Sequence, residues 1–367
     1  MEGGQTLSFV LPFLGEFMKW DDFSTLLFER CKQRRIPYHA SFELTPFCNF
    51  NCNMCYIHLK PEQAAQYGSI LTTQQWLDLA KQAKGMGVIT LEITGGEAAT
   101  RDDFPILYEN FIKSGFLITL RTNGYLLNGN IVNLLKEYKP RAISVTLYGS
   151  SDETYKKVCG VYDGFSIVSQ NIEGLLENGL TPKLSMTVTR DNKEDYKTLR
   201  TWVEGHGLKL RPFGRLFSPF ENTNRSIENL QVDYFSKEPE YDPDLIVEPR
   251  ESIEYDRFKN PFWMCRGYGG IFSVSWNGRI KLCNGFEGLS KDALSSTLKE
   301  SYRSLYYELD QIKRPEKCKT CNVIDYCFQC PKRLYSETRD LQKTNDNLCR
   351  IAQILYKRDM QRHAKVN

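Results

Sequence analysis

Charge of one sign is what this sequence most plainly lacks. Its 48 lysines and arginines exceed its 45 acidic residues by three, too small a surplus to build a surface that tracks a phosphate backbone. Long apolar runs are missing as well. The opening "MEGGQTLSFVLPFLGEFMKW" holds a short one, but Pro and Gly interrupt it, it falls far below a bilayer span, and it lacks the basic start and small-residue cleavage site of a secretory signal. These absences argue against nucleic-acid and membrane partners and predict a cytoplasmic protein. No disorder-prone composition is present either, and 367 residues can bury one large core or two smaller ones.

Cysteine is what the sequence has instead. Twelve cysteines in a short secreted chain would predict a disulfide framework; in a chain this long, clustered at spacings of two to five residues, they predict metal or cluster binding. The stretch "TPFCNFNCNMCYIHL" places Cys48, Cys52 and Cys55 just after an apparent strand and stops at three. Three thiolates from one loop can hold three irons of an iron–sulfur cube and leave the fourth iron without a protein ligand. The competing readings are zinc with His58 as fourth ligand, or thiols that are merely buried.

From residue 41 to 213 short apolar segments alternate with helical patterns. Strands are expected at 41–45, 88–94, 116–122, 141–149, 182–189 and 207–213, with helices between them, several stopped by Gly. That order predicts a parallel α/β sheet, and periodicity alone leaves a curled, incomplete barrel and a flat doubly wound sheet both open. Residues 221–260 then carry eleven acidic and five basic side chains, so 214–260 is read as an acidic connector or lid. A second cysteine field follows. Cys265 and Cys283 flank an apparent hairpin with "WNGR" at its turn, and "CKTCNVIDYCFQC" gives Cys318, Cys321, Cys327 and Cys330 before Cys349. Two CxxC pairs would satisfy one structural zinc, which makes a zinc-stabilised binding protein the non-enzyme alternative.

The spacing CxxxCxxC resembles the signature of the radical S-adenosylmethionine (SAM) superfamily, and "TGGEA" at the end of the second expected strand is similar to that superfamily's GGE motif. The resemblance implies a partial (β/α)6 barrel over 41–213, behind an N-terminal extension at 1–40. It implies that Gly95, Gly96 and Glu97 bind the SAM amino group, the glycines by letting backbone come close. Where the family has an aromatic residue before its third cysteine this chain has Met54, and Tyr56 offers a ring beside it. Asn123 and Ser144 join the expected cofactor residues, with Lys156 or Lys157 as partner of the SAM carboxylate. The second field resembles the SPASM extension, a small cysteine-rich iron–sulfur domain, here 261–355, followed by a tail at 356–367. Carried over, one auxiliary [4Fe-4S] cluster takes Cys318, Cys321, Cys327 and Cys349 and another takes Cys265, Cys283 and Cys330, for three clusters in all. The family spacing has one more residue after Cys327 than Phe328 and Gln329 supply, and Lys259 stands where some members have an eighth cysteine, which would leave an iron open on the cluster at Cys265.

The resemblance implies a 5′-deoxyadenosyl radical that abstracts a substrate hydrogen, an electron donor such as flavodoxin or ferredoxin, and a precursor peptide or protein side chain as substrate. An open auxiliary iron favours thioether formation in a ribosomal peptide. Carbon–carbon crosslinking, epimerisation with Cys159 returning a hydrogen atom, and sulfatase formylglycine maturation with Asp152 as acid or base are the alternatives. Forty residues before the barrel are too few for a full leader-binding domain, which points to a separate leader-binding protein or to none. Cys31 is expected to be a helix residue without a chemical role.

Overall fold

The computed structural model describes residues 20–366 except 58, 215, 218–226, 228, 233–264, 266 and 328–329. His58, Lys259, Phe328, Gln329 and most of the acidic connector therefore lie outside the described residues.

Six strands, β1 (His39–Glu43), β2 (Thr90–Thr94), β3 (Leu117–Thr122), β4 (Ala142–Leu147), β5 (Lys183–Thr187) and β6 (Leu210–Phe213), pair in parallel with their neighbours in chain order. A doubly wound sheet reverses its strand order at a switch point. Here the order β6-β5-β4-β3-β2-β1 never reverses, which is the singly wound course of a barrel, and β1 does not close onto β6.

Helices α1 (Trp20–Arg34), α2 (Pro61–Ala64), α3 (Thr73–Gly85), α4 (Phe104–Lys113), α5 (Gly129–Glu137), α6 (Asp152–Cys159), α7 (Gly164–Glu177) and α8 (Tyr196–Gly205) accompany this half. Their starts carry local signals: Thr72 and Gln75 form a capping box on α3, Asn128 caps α5 and Ser151 caps α6. Phe42 of β1 lies 4.9 Å from the Trp76 ring of α3 and 5.8 Å from the Phe111 ring of α4, all fully buried. Removing one such ring costs about 3–5 kcal/mol.

The strands alternate in an unusual sense. Parallel strands buried on both faces are apolar throughout. Here Ile118, Leu120, Ile143, Val145, Leu184 and Met186 are buried with the helices' apolar residues, while Thr119, Arg121, Ser144, Thr146, Ser185 and Thr187 on the opposite face stay half-buried or exposed. The polar face is the barrel lumen. On it Arg121 pairs with Glu92 of the neighbouring strand β2 at 2.5 Å, and Ser41 of β1 donates to the same carboxylate at 3.3 Å.

The second cysteine field joins this sheet. β7 (Ile271–Val274) pairs in parallel with the free edge of β1, and β8 (Arg279–Lys281) and β9 (Ser290–Asp292) continue antiparallel, so nine strands form one sheet. The expected hairpin is β7–β8, turning at Gly278 with φ +78°. Helix α9 (Leu298–Gln311), opened by a Thr297–Glu300 capping box, lies over these strands: Tyr302 and Tyr306 donate their hydroxyls to the carbonyls of Gly269 and Ile271 at 2.9 and 2.7 Å. One apolar core runs from α3 to α9. The remaining helices α10 (Glu316–Lys319), α11 (Pro331–Thr338) and α12 (Asp346–Val366) enclose a separate small core of Val323, Tyr326, Cys327 and Ala352. A core of that size supplies little stability, and small modules of this kind are commonly held by a metal site.

Candidate active site

The loop after β1 and the loop after β2 are zipped together. Gly96 N–H donates to the Thr45 carbonyl at 2.7 Å and Glu97 N–H to the Phe47 carbonyl at 2.8 Å. A Cβ on Gly95, whose φ is +150°, would sit 2.6 Å from the Thr45 oxygen, and one on Gly96 would sit 2.0 Å from the Phe47 oxygen. The backbone these glycines admit is thus the chain's own, the segment leading into Cys48. The far side of that loop rests on α6: Asn51 and Asn53 donate backbone N–H groups to the Cys159 and Val158 carbonyls at 2.8 and 2.9 Å.

Within this frame Cys48, Cys52 and Cys55 lie together. Burial and the neighbouring Cys52 and Cys55 sulfurs push the Cys48 thiol up to about 12, and the three also raise the buried Tyr148 hydroxyl beside them. The Cys48 sulfur accepts from the Phe50 N–H at 3.4 Å and faces the Asn123 amide at 3.6 Å, donors of the sort that stabilise a metal-bound thiolate. Glu97 is buried to 1% exposure and accepts from Asn123 N–H at 2.8 Å, the Thr122 hydroxyl at 3.0 Å and Ala99 N–H at 3.3 Å. Burial nevertheless raises its carboxyl to about 7, because none of these neutral donors supplies the positive charge a buried carboxylate lacks. A buried Cys48 thiol that resists ionisation, with Cys52 and Cys55 beside it, and a carboxylate without a cation fit an iron cluster and an ammonium-bearing cofactor.

The other expected residues fall in several places. Asn123 sits inside the loop frame, its amide on Asn49 at 2.8 Å. Ser144 lies on the lumen face of β4, paired in register with Arg121. Asp152 opens α6 and accepts from the Ser166 N–H at 2.9 Å and its hydroxyl, bonds that hold its carboxyl below the usual range and tie α6 to α7. On the same helix Lys156 lies exposed over the Tyr162 ring at 4.5 Å, and Lys157 pairs with Asp191 at 3.0 Å. Cys159 is fully buried and takes part through its carbonyl. Cys31 is a buried residue of α1. Sequence reasoning missed Thr122, Asp191 and Asn53. Asp191 holds both Lys157 and, at 2.9 Å, the Asn53 amide of the cysteine loop. It also missed the lumen, whose signal was available: strands in a βα order that alternate polar and apolar residues have a wet second face.

The later cysteines form two groups. Cys318, Cys321, Cys327 and Cys349 line one cavity of about 90 Å³ together with Val323, Ile324 and Ala352. Among the described residues no three His, Cys, Asp or Glu side chains converge as ligands of a single ion do; here the thiols line a space. Cys265, Cys283 and Cys330 form the second group. Burial raises Cys265 to about 11 and Cys283 further, with the Cys330 sulfur contributing to both. Beside them Glu43 is buried, with the Gly285 N–H on its carboxylate and Oε1 lacking a hydrogen bond. Lys281 pairs with Glu287 at 2.6 Å, and Lys332 lies over the Tyr56 ring at 3.9 Å. Tyr56 thus faces the second cysteine field, not only the first.

Residues 42–203 match the family model described as "Radical SAM superfamily". Among curated proteins, a "Probable GTP 3′,8-cyclase" of Saccharolobus islandicus is 29% identical over 255 residues, 65% of this chain and 80% of that protein. The Streptococcus suis SuiB structure with S-adenosylmethionine aligns over 92% of this chain and 84% of its own, with TM-score 0.63 and 16% identity. Native anSMEcpe with bound AdoMet aligns over 90% of this chain and 99% of its own, with TM-score 0.57 and 15% identity. The aligned share extends well past the barrel into the cysteine-rich half. Residues 42–203 are thus similar to the radical SAM superfamily, and the open barrel with its cysteine-rich C-terminal half has the fold of the SuiB and anSMEcpe structures.

Proposed function

We propose that this protein oxidatively modifies a ribosomally made peptide, joining a cysteine sulfur to a carbon to form a thioether. The observation that carries the reading is the group of Cys265, Cys283 and Cys330: three thiols gathered at the β1 edge of the barrel, a number that leaves one position of a four-iron cluster for a substrate sulfur. SAM bound at the first cysteine loop supplies the 5′-deoxyadenosyl radical that takes a substrate hydrogen atom. The net change removes two hydrogens from a C–H and S–H pair; one leaves on 5′-deoxyadenosine, the other as a proton, with the remaining electron taken up by an iron–sulfur centre. Cys48, Cys52 and Cys55 would hold the first cluster, Glu97 the SAM ammonium, and the polar face of Thr119, Arg121, Ser144, Thr146, Ser185 and Thr187 would line the substrate space. The four thiols on the cavity complete a third cluster.

The peptide assignment draws on SuiB, which has been crystallised with its precursor peptide SuiA, and on anSMEcpe with a bound peptide. A flavodoxin or ferredoxin supplies electrons, and the site of action is the cytoplasm. No described helix is long and apolar enough to cross a membrane. A second reading has one observation in its favour. Lys183 and Arg211 stand exposed beside Arg121's row of the lumen, a lining suited to phosphates, and the curated relatives are probable GTP cyclases.

The test is anaerobic reconstitution with iron and sulfide analysis, then dithionite, SAM and either GTP or synthetic peptides from short cysteine-bearing reading frames beside the gene. About twelve irons, 5′-deoxyadenosine and a peptide lighter by two hydrogens with one thiol lost would support the thioether. Turnover of GTP and of no peptide would replace it.

A further inference from the structure

The two cysteine sites closest to the barrel are joined by one lysine. Lys332 follows Cys330 by two residues at the start of α11. Its Nζ lies 3.9 Å from the centroid of Tyr56, the residue after Cys55, and 4.0 Å from that of Phe217. Gly285, two residues after Cys283, lies between these groups with φ +67°. A Cβ there would meet Tyr56 Cε2 at 2.4 Å and Lys332 Nζ at 2.8 Å. The chain thus keeps a side chain out of a place where it would push against both ammonium and ring.

A buried ammonium held on ring faces gives up much of its hydration, and π contacts replace only part of it. The remaining compensation must come from nearby negative charge. Glu43 is close enough to be felt by both Lys332 and Cys283, whereas Glu287 is engaged by Lys281. The densest potential source of negative charge is the thiolate group of Cys265, Cys283 and Cys330. Conversely, a cation at that site favours the more reduced, more negative state of whatever those thiolates hold.

We infer that Lys332 is a positioning residue whose ammonium, clamped by Tyr56, raises the reduction potential of the Cys265–Cys283–Cys330 site and physically ties it to the Cys48–Cys52–Cys55 loop. The inference rests on the reading of that trio as a cluster site. It gives the site a role as electron acceptor during substrate oxidation, independent of what the substrate is.

The experiment is redox titration of the full-length reconstituted protein, followed by electron paramagnetic resonance, for the native protein, Lys332→Met, Lys332→Arg and Cys283→Ala. The signal missing from Cys283→Ala identifies the site. In Lys332→Met that signal should require a lower potential, with its reduced-to-oxidised ratio at a fixed potential falling about tenfold, ~59 mV for one electron. The other signals should hold, and Lys332→Arg should restore most of the change. If Lys332→Met loses that site's iron while Lys332→Arg keeps it, the charge is shown to be needed by the site. Unchanged potential in Lys332→Met at full iron content would overturn the inference, as would equal loss of iron in both lysine variants. Full iron content in Cys283→Ala would instead remove the cluster reading of the trio.

Discussion

Replacing Glu97 by Gln separates what the carboxylate does for the fold from what it does for the cofactor. Its ordinary value is 4.5 and burial raises it to about 7 in the cofactor-free protein. The fold therefore favours the protonated form. That stabilisation is complete below pH 4.5 and is lost as the pH rises through 7, a span worth ~3 kcal/mol at 1.36 kcal/mol per decade of proton activity. A glutamine side-chain oxygen can still accept from Asn123 N–H and the Thr122 hydroxyl, the two bonds the buried carboxylate oxygen makes. Metal-free Glu97→Gln should thus be more stable than the native protein at pH 8, and the advantage should shrink steadily toward pH 5. Urea unfolding at several pH values, plotted as the difference between the two proteins, reads this directly and cancels the titration of every other group. In the reconstituted protein the sign reverses: a neutral amide cannot offset an ammonium, and SAM affinity should fall about 10- to 100-fold. A flat difference curve would refute the claim that Glu97 is a buried charge awaiting a cation.

Three further outcomes follow from the same geometry. Gly96→Ala forces a methyl group to within 2.0 Å of the Phe47 carbonyl, so the loop bearing Cys48 must move; iron analysis should show about four irons fewer, with the auxiliary signals intact. Asp152→Ala removes two bonds from Ser166 and should lower the unfolding free energy by about 1 kcal/mol without changing the rate of 5′-deoxyadenosine formation in the reconstituted enzyme. Cys159→Ala should leave both 5′-deoxyadenosine formation and product stereochemistry unchanged, since α6 uses that residue's carbonyl to seat the loop; an epimerised native product lost in the variant would restore the thiol to catalysis.

The strands of the barrel were legible because β-branched runs between glycine-stopped helices have few other solutions, and the gathering of Cys48, Cys52 and Cys55 was legible because thiols that close in sequence share one loop. What escaped was long-range. The glycines of "TGGEA" were expected to let backbone come close, and the backbone pressed against them is that of Thr45–Phe47; no local pattern reveals which backbone approaches. Asp152, Lys156 and Lys157 follow the fourth strand and so looked eligible. Helix α6 turns them to Ser166, Tyr162 and Asp191, a consequence of its rotation that sequence order does not encode. Tyr56 was placed by its neighbour Cys55, but a side chain that long is placed by what it packs on, here Lys332 and Gly285.

The pairing of β1 with β7 has a bearing on how the chain is made. His39 and Ile271 are register partners in the sheet, so while the ribosome is still building the barrel one edge of β1 has no partner and presents open N–H and C=O groups. Contacts between segments so distant in sequence form late and slowly. The nascent protein therefore passes through a long interval in which its first cysteine loop hangs from an uncovered strand, a state prone to association with other chains. Iron delivery before the last third has emerged would meet a loop whose anchoring strand is not yet held on both sides.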